Sequence, residues 1–209
     1  MNKEAIYKKL PKWAFDIIKE IETQVEYSKW LKAGKTCPPN HSVKRVAIRK
    51  YQKESGYKTL VETGTYMGDM IYVQMNYFDE LYTIELSEHY YKLAVERFKR
   101  FPKVKPYHGD SATKLGEITP KLNAPAIFWL DGHYSGGLTA KGASQCPVFG
   151  ELDAILATPH KHIILVDDAR LFTGENDYPT IEEVNLYLQG KSIKFDFSVE
   201  DDIIRIVLK

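Results

Sequence analysis

Cysteine is scarce in this 209-residue chain: it has two, Cys37 and Cys146, far apart and in unlike contexts. That argues against a disulfide framework or a cysteine zinc site and fits a reducing cytoplasm. Net charge is almost absent as well. The 29 Lys and Arg residues against 28 Asp and Glu leave +1, so no global field calls for nucleic acid or a membrane surface. An Asn-Pro-Pro-Tyr-type motif is missing, which also counts against a base-flipping enzyme. No apolar run approaches membrane-spanning length. Charges throughout residues 1–19 leave no room there for the apolar core of a signal peptide. Repeats and low-complexity tracts are missing too. Aromatics, by contrast, are plentiful, with 14 tyrosines and 12% aromatic residues. The expectation is a globular cytoplasmic protein whose partner is a small molecule, not nucleic acid or membrane, with homo-oligomerisation left open.

Periodicity sets the order of elements. Ala14, Ile17, Ile18 and Ile21 recur at helical spacing, and Pro38-Pro39 breaks that pattern. Residues 1–40 are therefore expected to form a helical extension, and residues 41–209 the main domain. A second helix over 41–54 places Val43, Val46, Ala47 and Tyr51 on one side and basic residues on the other, ending at Gly56. From Thr59 short apolar strands (59–63, 81–85, 104–108, 126–130, 162–167) alternate with helical stretches (70–77, 88–101, 148–156, 180–188). Such alternation implies βαβ units and a mostly parallel, doubly wound α/β sheet. Strands over 193–199 and 203–208 are separated by three residues, too few for a crossover helix, so they should close the sheet as an antiparallel hairpin.

The chemistry-bearing residues fall at the carboxyl ends of successive strands, the edge where open α/β sheets bind ligands. The first strand ends in Glu62-Thr63-Gly64-Thr65-Tyr66-Met67-Gly68, a glycine-spaced turn running into a helix. Glu62 would repel a pyrophosphate but suits a cationic amino group. The blander alternative is a turn that needs Gly64 only for its backbone angle. Glu85 ends the second strand, where a carboxylate can accept both hydroxyls of a ribose. Asp110-Ser111 follows the third strand and either accepts from an adenine amine or simply caps the next helix. Asp131 follows the fourth strand; Asp167 and Asp168 follow the fifth. Together these three offer the hard oxygen ligands that Mg²⁺ prefers, unless one caps a helix and another pairs with Arg170 or Lys141. His133, two residues beyond Asp131, is a candidate base for a hydroxyl proton. The glycine-bearing stretch 134–145 reads as a lid or as an ordinary surface loop. Lys44 belongs to a helix start that either reaches over the first glycine turn or stays solvated.

Val61-Glu62-Thr63-Gly64-Thr65-Tyr66-Met67-Gly68, with Glu85 and Gly109-Asp110-Ser111, resembles the motif set of class I S-adenosylmethionine-dependent methyltransferases. The resemblance spans roughly residues 59–209. It implies a seven-stranded Rossmann-like methyltransferase fold with S-adenosylmethionine held by Glu62, Thr63, Gly64, Thr65, Gly68, Glu85, Asp110, Ser111 and Asp131. Leu130-Asp131-Gly132-His133 with Val166-Asp167-Asp168 is similar to metal-dependent O-methyltransferases of the catechol and macrocin types. That likeness implies methyl transfer to a hydroxyl of a small molecule or sugar, with Asp131 and His133 in catalysis and Asp131, Asp167 and Asp168 as candidate Mg²⁺ ligands. Residues after Asp131-Gly132 and the glycine-rich stretch depart from those families. Two other classes stay open: a methyltransferase-like protein that binds the cofactor without turnover, and an NAD-dependent oxidoreductase, disfavoured by the E-x-G-x-x-x-G spacing.

Overall fold

A computed structural model describes residues 12–132 and 146–209. Two helices, α1 (Lys12–Lys32) and α2 (His41–Ser55), precede the sheet. Asn40 caps α2 by accepting from the Ser42 amide at 3.0 Å, and Gly56 ends it in the left-handed conformation. The chain then runs β1 (Thr59–Thr63), α3 (Asp69–Gln74), β2 (Glu80–Glu85), α4 (Glu88–Phe98), β3 (Val104–His108), α5 (Ser111–Ile118) and β4 (Ala126–Leu130). It continues with α6 (Val148–Leu156), β5 (Ile163–Val166), α7 (Ile181–Gln189), β6 (Phe195–Glu200) and β7 (Ile203–Leu208).

These strands build one seven-stranded sheet in the order β3-β2-β1-β4-β5-β7-β6. Strands β1 to β5 are parallel, and β7 runs antiparallel to both β5 and β6. The expected α/β sheet with its antiparallel closing hairpin is thus present. Each central strand is apolar on both sides, as a parallel sheet covered by two helical layers requires. Val61, Phe128 and Ile164 pack with Leu115, Leu152 and Leu188 on one face, whereas Leu60, Ile127 and Leu165 pack with Ile48, Ile71 and Phe98 on the other.

Several boundaries differ from the sequence pattern for local reasons. Helix α4 stops at Phe98 rather than reaching 101, since Pro102 disfavours helical backbone just before it. β6 starts at Phe195, after Ser192 adopts a left-handed backbone (φ 54°). The hairpin gap is two residues, because Glu200 still pairs with Ile203. Asp201 and Asp202 both take positive φ, 57° and 64°, the geometry of a tight twisted hairpin turn.

The extension is pinned to the rest by Arg49 of α2. Its guanidinium lies 4.5 Å from the Tyr77 ring centroid, donates to the Val73 carbonyl at 3.2 Å and pairs with Glu20 of α1. Tyr77 also donates to Glu20 at 2.9 Å. Among the described residues, no helix is long and apolar enough to cross a membrane.

Candidate functional site

Strand register places the candidate residues side by side. Thr63 of β1 is level with Ile84 of β2 and Leu130 of β4, and Leu130 is level with Val166 of β5. Asp131 and Asp167 therefore leave the sheet at the same edge as the glycine turn. The chain jumps from β3 across to β4, so the strand order reverses beside β1, the position where such sheets bind ligands.

Gly64 is required sterically. With φ of 84°, a Cβ there would sit 2.3 Å from the Asp131 carbonyl oxygen. Gly68 is also left-handed (φ 76°), and a Cβ would meet the Phe98 ring at 2.8 Å. The turn is held from below: the Gly64 amide donates to the Ile84 carbonyl at 2.9 Å, and the Tyr66 amide donates to Glu85 at 2.7 Å. Glu85 also accepts from the Ser87 amide at 2.8 Å. It thus ties the end of β2 to the turn while each oxygen keeps a lone pair. Asp110 caps α5, accepting from the Thr113 amide at 3.0 Å and the Thr113 hydroxyl at 3.1 Å, with Ser111 buried behind it.

Glu62 is buried and accepts from the Thr83 hydroxyl at 2.6 Å; Thr83 and Thr65 hydroxyls lie 2.5 Å apart. Burial pushes its carboxyl up to about 8, with the nearby Glu85 and Asp69 charges adding to the rise and Thr83 opposing it. A second buried carboxyl, Glu151 of α6, stands close to the same edge. A Cβ on Gly132 would lie 3.4 Å from its Oε1, and 3.0 Å from the Thr63 hydroxyl, which itself accepts from the Gly132 amide at 3.2 Å. Neither Glu151 oxygen meets hydrogen-bond geometry with a described partner. Burial raises Glu151 to about 7, and the nearby Ser111 and Thr63 hydroxyls pull it back. The sequence reading missed Glu151. Its signal was an acid spaced three residues after Val148 and four before Ile155, both on the buried face of α6.

Asp131, Asp167 and Asp168 converge, with one carboxylate oxygen from each within 4.8 Å of the others. Asp168 adopts a left-handed backbone (φ 54°), and its amide donates to Asp167 at 2.8 Å. Arg170 donates to Asp168 at 2.8 Å and pairs with Asp202 of the hairpin turn, while its own amide donates to Asp202 at 2.7 Å. The pairing of one aspartate with Arg170, an alternative left open by the sequence, is present. Lys141, His133 and the stretch 134–145 lie outside the described residues.

The sequence left two alternatives for the helix start that holds Lys44, reaching over the first glycine turn or staying solvated. The solvated alternative does not hold: the side chain is only 12% exposed and its Nζ contacts Asp167 and reaches Asp168 at 3.4 Å. Lys44 precedes the buried Ala47 and Ile48 by three and four residues, so it prolongs their stripe to the helix start. Burial works to lower its pKa, but Asp167, Asp131 and Asp168 together raise it, so it stays cationic. Asp131 is raised well above the ordinary carboxylate range, first by burial and then by Asp167, with Lys44 opposing. Burial lifts Asp167 to about 6 against the pull of Lys44. For Asp168 the cations Lys44 and Arg170 overcome burial and lower it.

Solved structures share this fold over most of the chain. The O-methyltransferase TomG from Streptomyces achromogenes, involved in tomaymycin synthesis and solved with SAM, matches with TM-score 0.59 and 15% identity over 96% of this chain and 90% of that one. The methyltransferase PaMTH1 from Podospora anserina, solved with SAH, matches with TM-score 0.57 and 17% identity over 100% and 97%. An O-methyltransferase from Bacillus cereus in complex with SAH matches with TM-score 0.57 and 13% identity over 90% and 90%. The fold is that of the class I S-adenosylmethionine-dependent methyltransferases. No family profile matches the chain, and no curated protein matches it.

Within this fold the residues fit the cofactor. Two of the three left-handed positions in the Gly64–Gly68 turn are glycines, the third being the exposed Tyr66 (φ 47°), and Glu62, Glu85 and Asp110 supply carboxylates at three successive strand ends. The fit to Mg²⁺ is divided. Three oxygens at mutual reach suit a hard cation, but a lysine ammonium already sits among them.

Proposed function

We propose that the protein transfers the methyl group of S-adenosylmethionine to a hydroxyl of a small molecule or sugar. The observation that carries this reading is the set of carboxylates at five neighbouring strand ends around a glycine turn, at the point where the strand order reverses. S-adenosylmethionine supplies an activated methyl on a sulfonium, so the protein's task is mainly alignment and proton removal. In this reading Glu62 answers the cofactor's amino group directly or through water, and Glu85 the ribose. Asp110 and Ser111 lie on the adenine side, and Thr63, Thr65 and the glycines let the backbone approach. Asp131 stands beside the methyl donor, next to Asp167 and Asp168. His133 is the proposed base on sequence grounds. Mg²⁺ assistance would draw on Asp131, Asp167 and Asp168, and the lysine among them bears directly on it.

The acceptor is a small molecule rather than nucleic acid because the chain carries a net charge of only +1. Residues 1–40 act as a helical extension to a cofactor-binding domain over 41–209, and the assembly is open to homo-oligomers. The reading also includes a cytoplasmic location.

The alternative with an observation in its favour is a protein that keeps the fold and binds the cofactor without turnover. Its support is the Lys44–Asp167–Asp168–Arg170 network, which gives the aspartates ion-pair partners without any reaction. Incubation with labelled S-adenosylmethionine and a panel of phenolic, sugar and polyol acceptors separates the two. Acceptor-dependent labelling supports the enzyme. Tight S-adenosylhomocysteine binding with no labelling across the panel supports the binder, and stabilisation by NAD instead of S-adenosylhomocysteine in a thermal-shift assay sinks both.

A further inference from the structure

We propose that Lys44 is the resident cation of the acidic strand-end site, holding by a covalent tether the place that a divalent metal would take. The proposal deepens the methyl-transfer reading for its functional meaning, while the occupancy itself rests on geometry alone. Three carboxylates leave the sheet at β4 and β5 with an oxygen from each within 4.8 Å of the others. Such a cluster is unfavourable without a compensating positive charge. Lys44 Nζ contacts Asp167, which is fully buried, and lies 3.4 Å from Asp168. Among the described residues, those two carboxylates take two of its three N–H groups. Arg170 covers the outer side of Asp168 at 2.8 Å.

A Mg²⁺ ion would have to displace this ammonium. It demands six oxygens at about 2.0–2.1 Å, a space that the ammonium and its four-carbon stem already fill. The lysine is also well held. Its helix is capped by Asn40, the neighbouring Val43 is buried, and Ala47 and Ile48 are buried in the core against the sheet. A tethered ammonium and a metal then exclude each other, and the site works without a metal. What the lysine offers in exchange is a fixed charge with one N–H left over, directed by chemistry to an oxygen of the methyl acceptor.

The test is Mn²⁺ titration of the whole protein, read by the EPR signal of the free ion, on wild type, Lys44→Ala, Lys44→Gln, Asp167→Asn and the double variant Lys44→Ala with Asp167→Asn. The expected result is no saturable site in wild type. One site per chain should appear in the Lys44 variants and disappear in the double variant. A saturable site in wild type that Asp167→Asn abolishes overturns the proposal. So does a folded Lys44 variant that gains no site. Should neither Lys44 variant fold, the wild-type titration decides alone. Calorimetry with S-adenosylhomocysteine on the same wild-type sample keeps the two readings apart. Failure to bind it removes the methyltransferase reading and leaves the Mn²⁺ result standing.

Discussion

Glu62 accepts a hydrogen bond from Thr83 at 2.6 Å, across the β1–β2 pair and almost sealed from solvent. The two residues are register partners, so the contact follows from strand pairing. Thr83 in turn lies 2.5 Å from the Thr65 hydroxyl in the glycine turn. A carboxyl whose proton is hard to remove thus stands one hydroxyl away from the proposed cofactor cradle.

Stability should therefore fall with pH through Glu62. Below about pH 4.5 both folded and unfolded chains carry the proton and the residue costs nothing. Between 4.5 and about 8 the unfolded chain ionises while the folded chain stays protonated, so folding loses free energy. Glu62→Gln removes that loss. It should match wild type at pH 4 and exceed it at pH 8 by on the order of 3–5 kcal/mol, at about 1.4 kcal/mol per pKa unit. Urea unfolding at the two pH values checks this, and an equal gap at both would refute it.

Glu151 should repeat the pattern on the other face, with its loss complete by about pH 7. Glu151→Gln is expected to gain less than Glu62→Gln, because the shift is smaller. Its gain should level off about one pH unit earlier in the same unfolding series.

Gly64→Ala should abolish cofactor binding and lower stability by about 2–4 kcal/mol, combining left-handed strain with a clash against backbone. The obstacle is the Asp131 carbonyl, which cannot swing aside as a side-chain tip can. Calorimetry with S-adenosylhomocysteine and thermal unfolding read the two effects separately. Wild-type affinity in this variant would remove the turn from the cofactor site.

Glu85→Ala should weaken S-adenosylhomocysteine binding by roughly 1.5–3 kcal/mol, the range for hydrogen bonds to a charged group. Because Glu85 also accepts from the Tyr66 and Ser87 amides, part of that loss comes through a loosened turn. Glu85→Gln retains one carbonyl acceptor and should fall between the two. Unchanged affinity in the alanine variant would take Glu85 out of the site.

Arg49→Ala should release α1 from the sheet-bearing part. The change removes the ion pair to Glu20, the bond to the Val73 carbonyl and the face contact with Tyr77. The cost expected is about 1–3 kcal/mol. Hydrogen exchange should show faster exchange in α1 and little change in β1 and β4; uniform acceleration through the sheet would contradict a local role.

Much of this fold is legible in the sequence. Apolar runs such as 126–130 that end abruptly in a carboxylate mark both a buried parallel strand and a site edge, because only a strand end can expose the charge. The short gap before Ile203 dictated the hairpin. Glu151 was not legible as a site residue, and for Lys44 the sequence offered a place near the glycine turn but not its aspartate partners, which lie across the fold. Lys44 meets Asp167 across 123 residues of sequence, and helix periodicity cannot say what stands opposite a helix start. Asp110 shows the converse. Its capping bonds are local and were anticipated, and both go to one oxygen, which among the described residues leaves the second open to other use.

The Lys44–Asp167 contact has a temporal side. During synthesis the lysine emerges long before the carboxylates it will meet, and β5 is among the last parts of the sheet to be made. Until then, the ammonium has only Asp131 of the three carboxylates available to it. The acidic edge can close only in a chain that has nearly finished translation, so premature termination before β5 leaves a helix whose cation lacks Asp167 and Asp168. A protein fragment cut at Thr59 would have the opposite defect: every strand of the sheet, and no ammonium to settle among its aspartates.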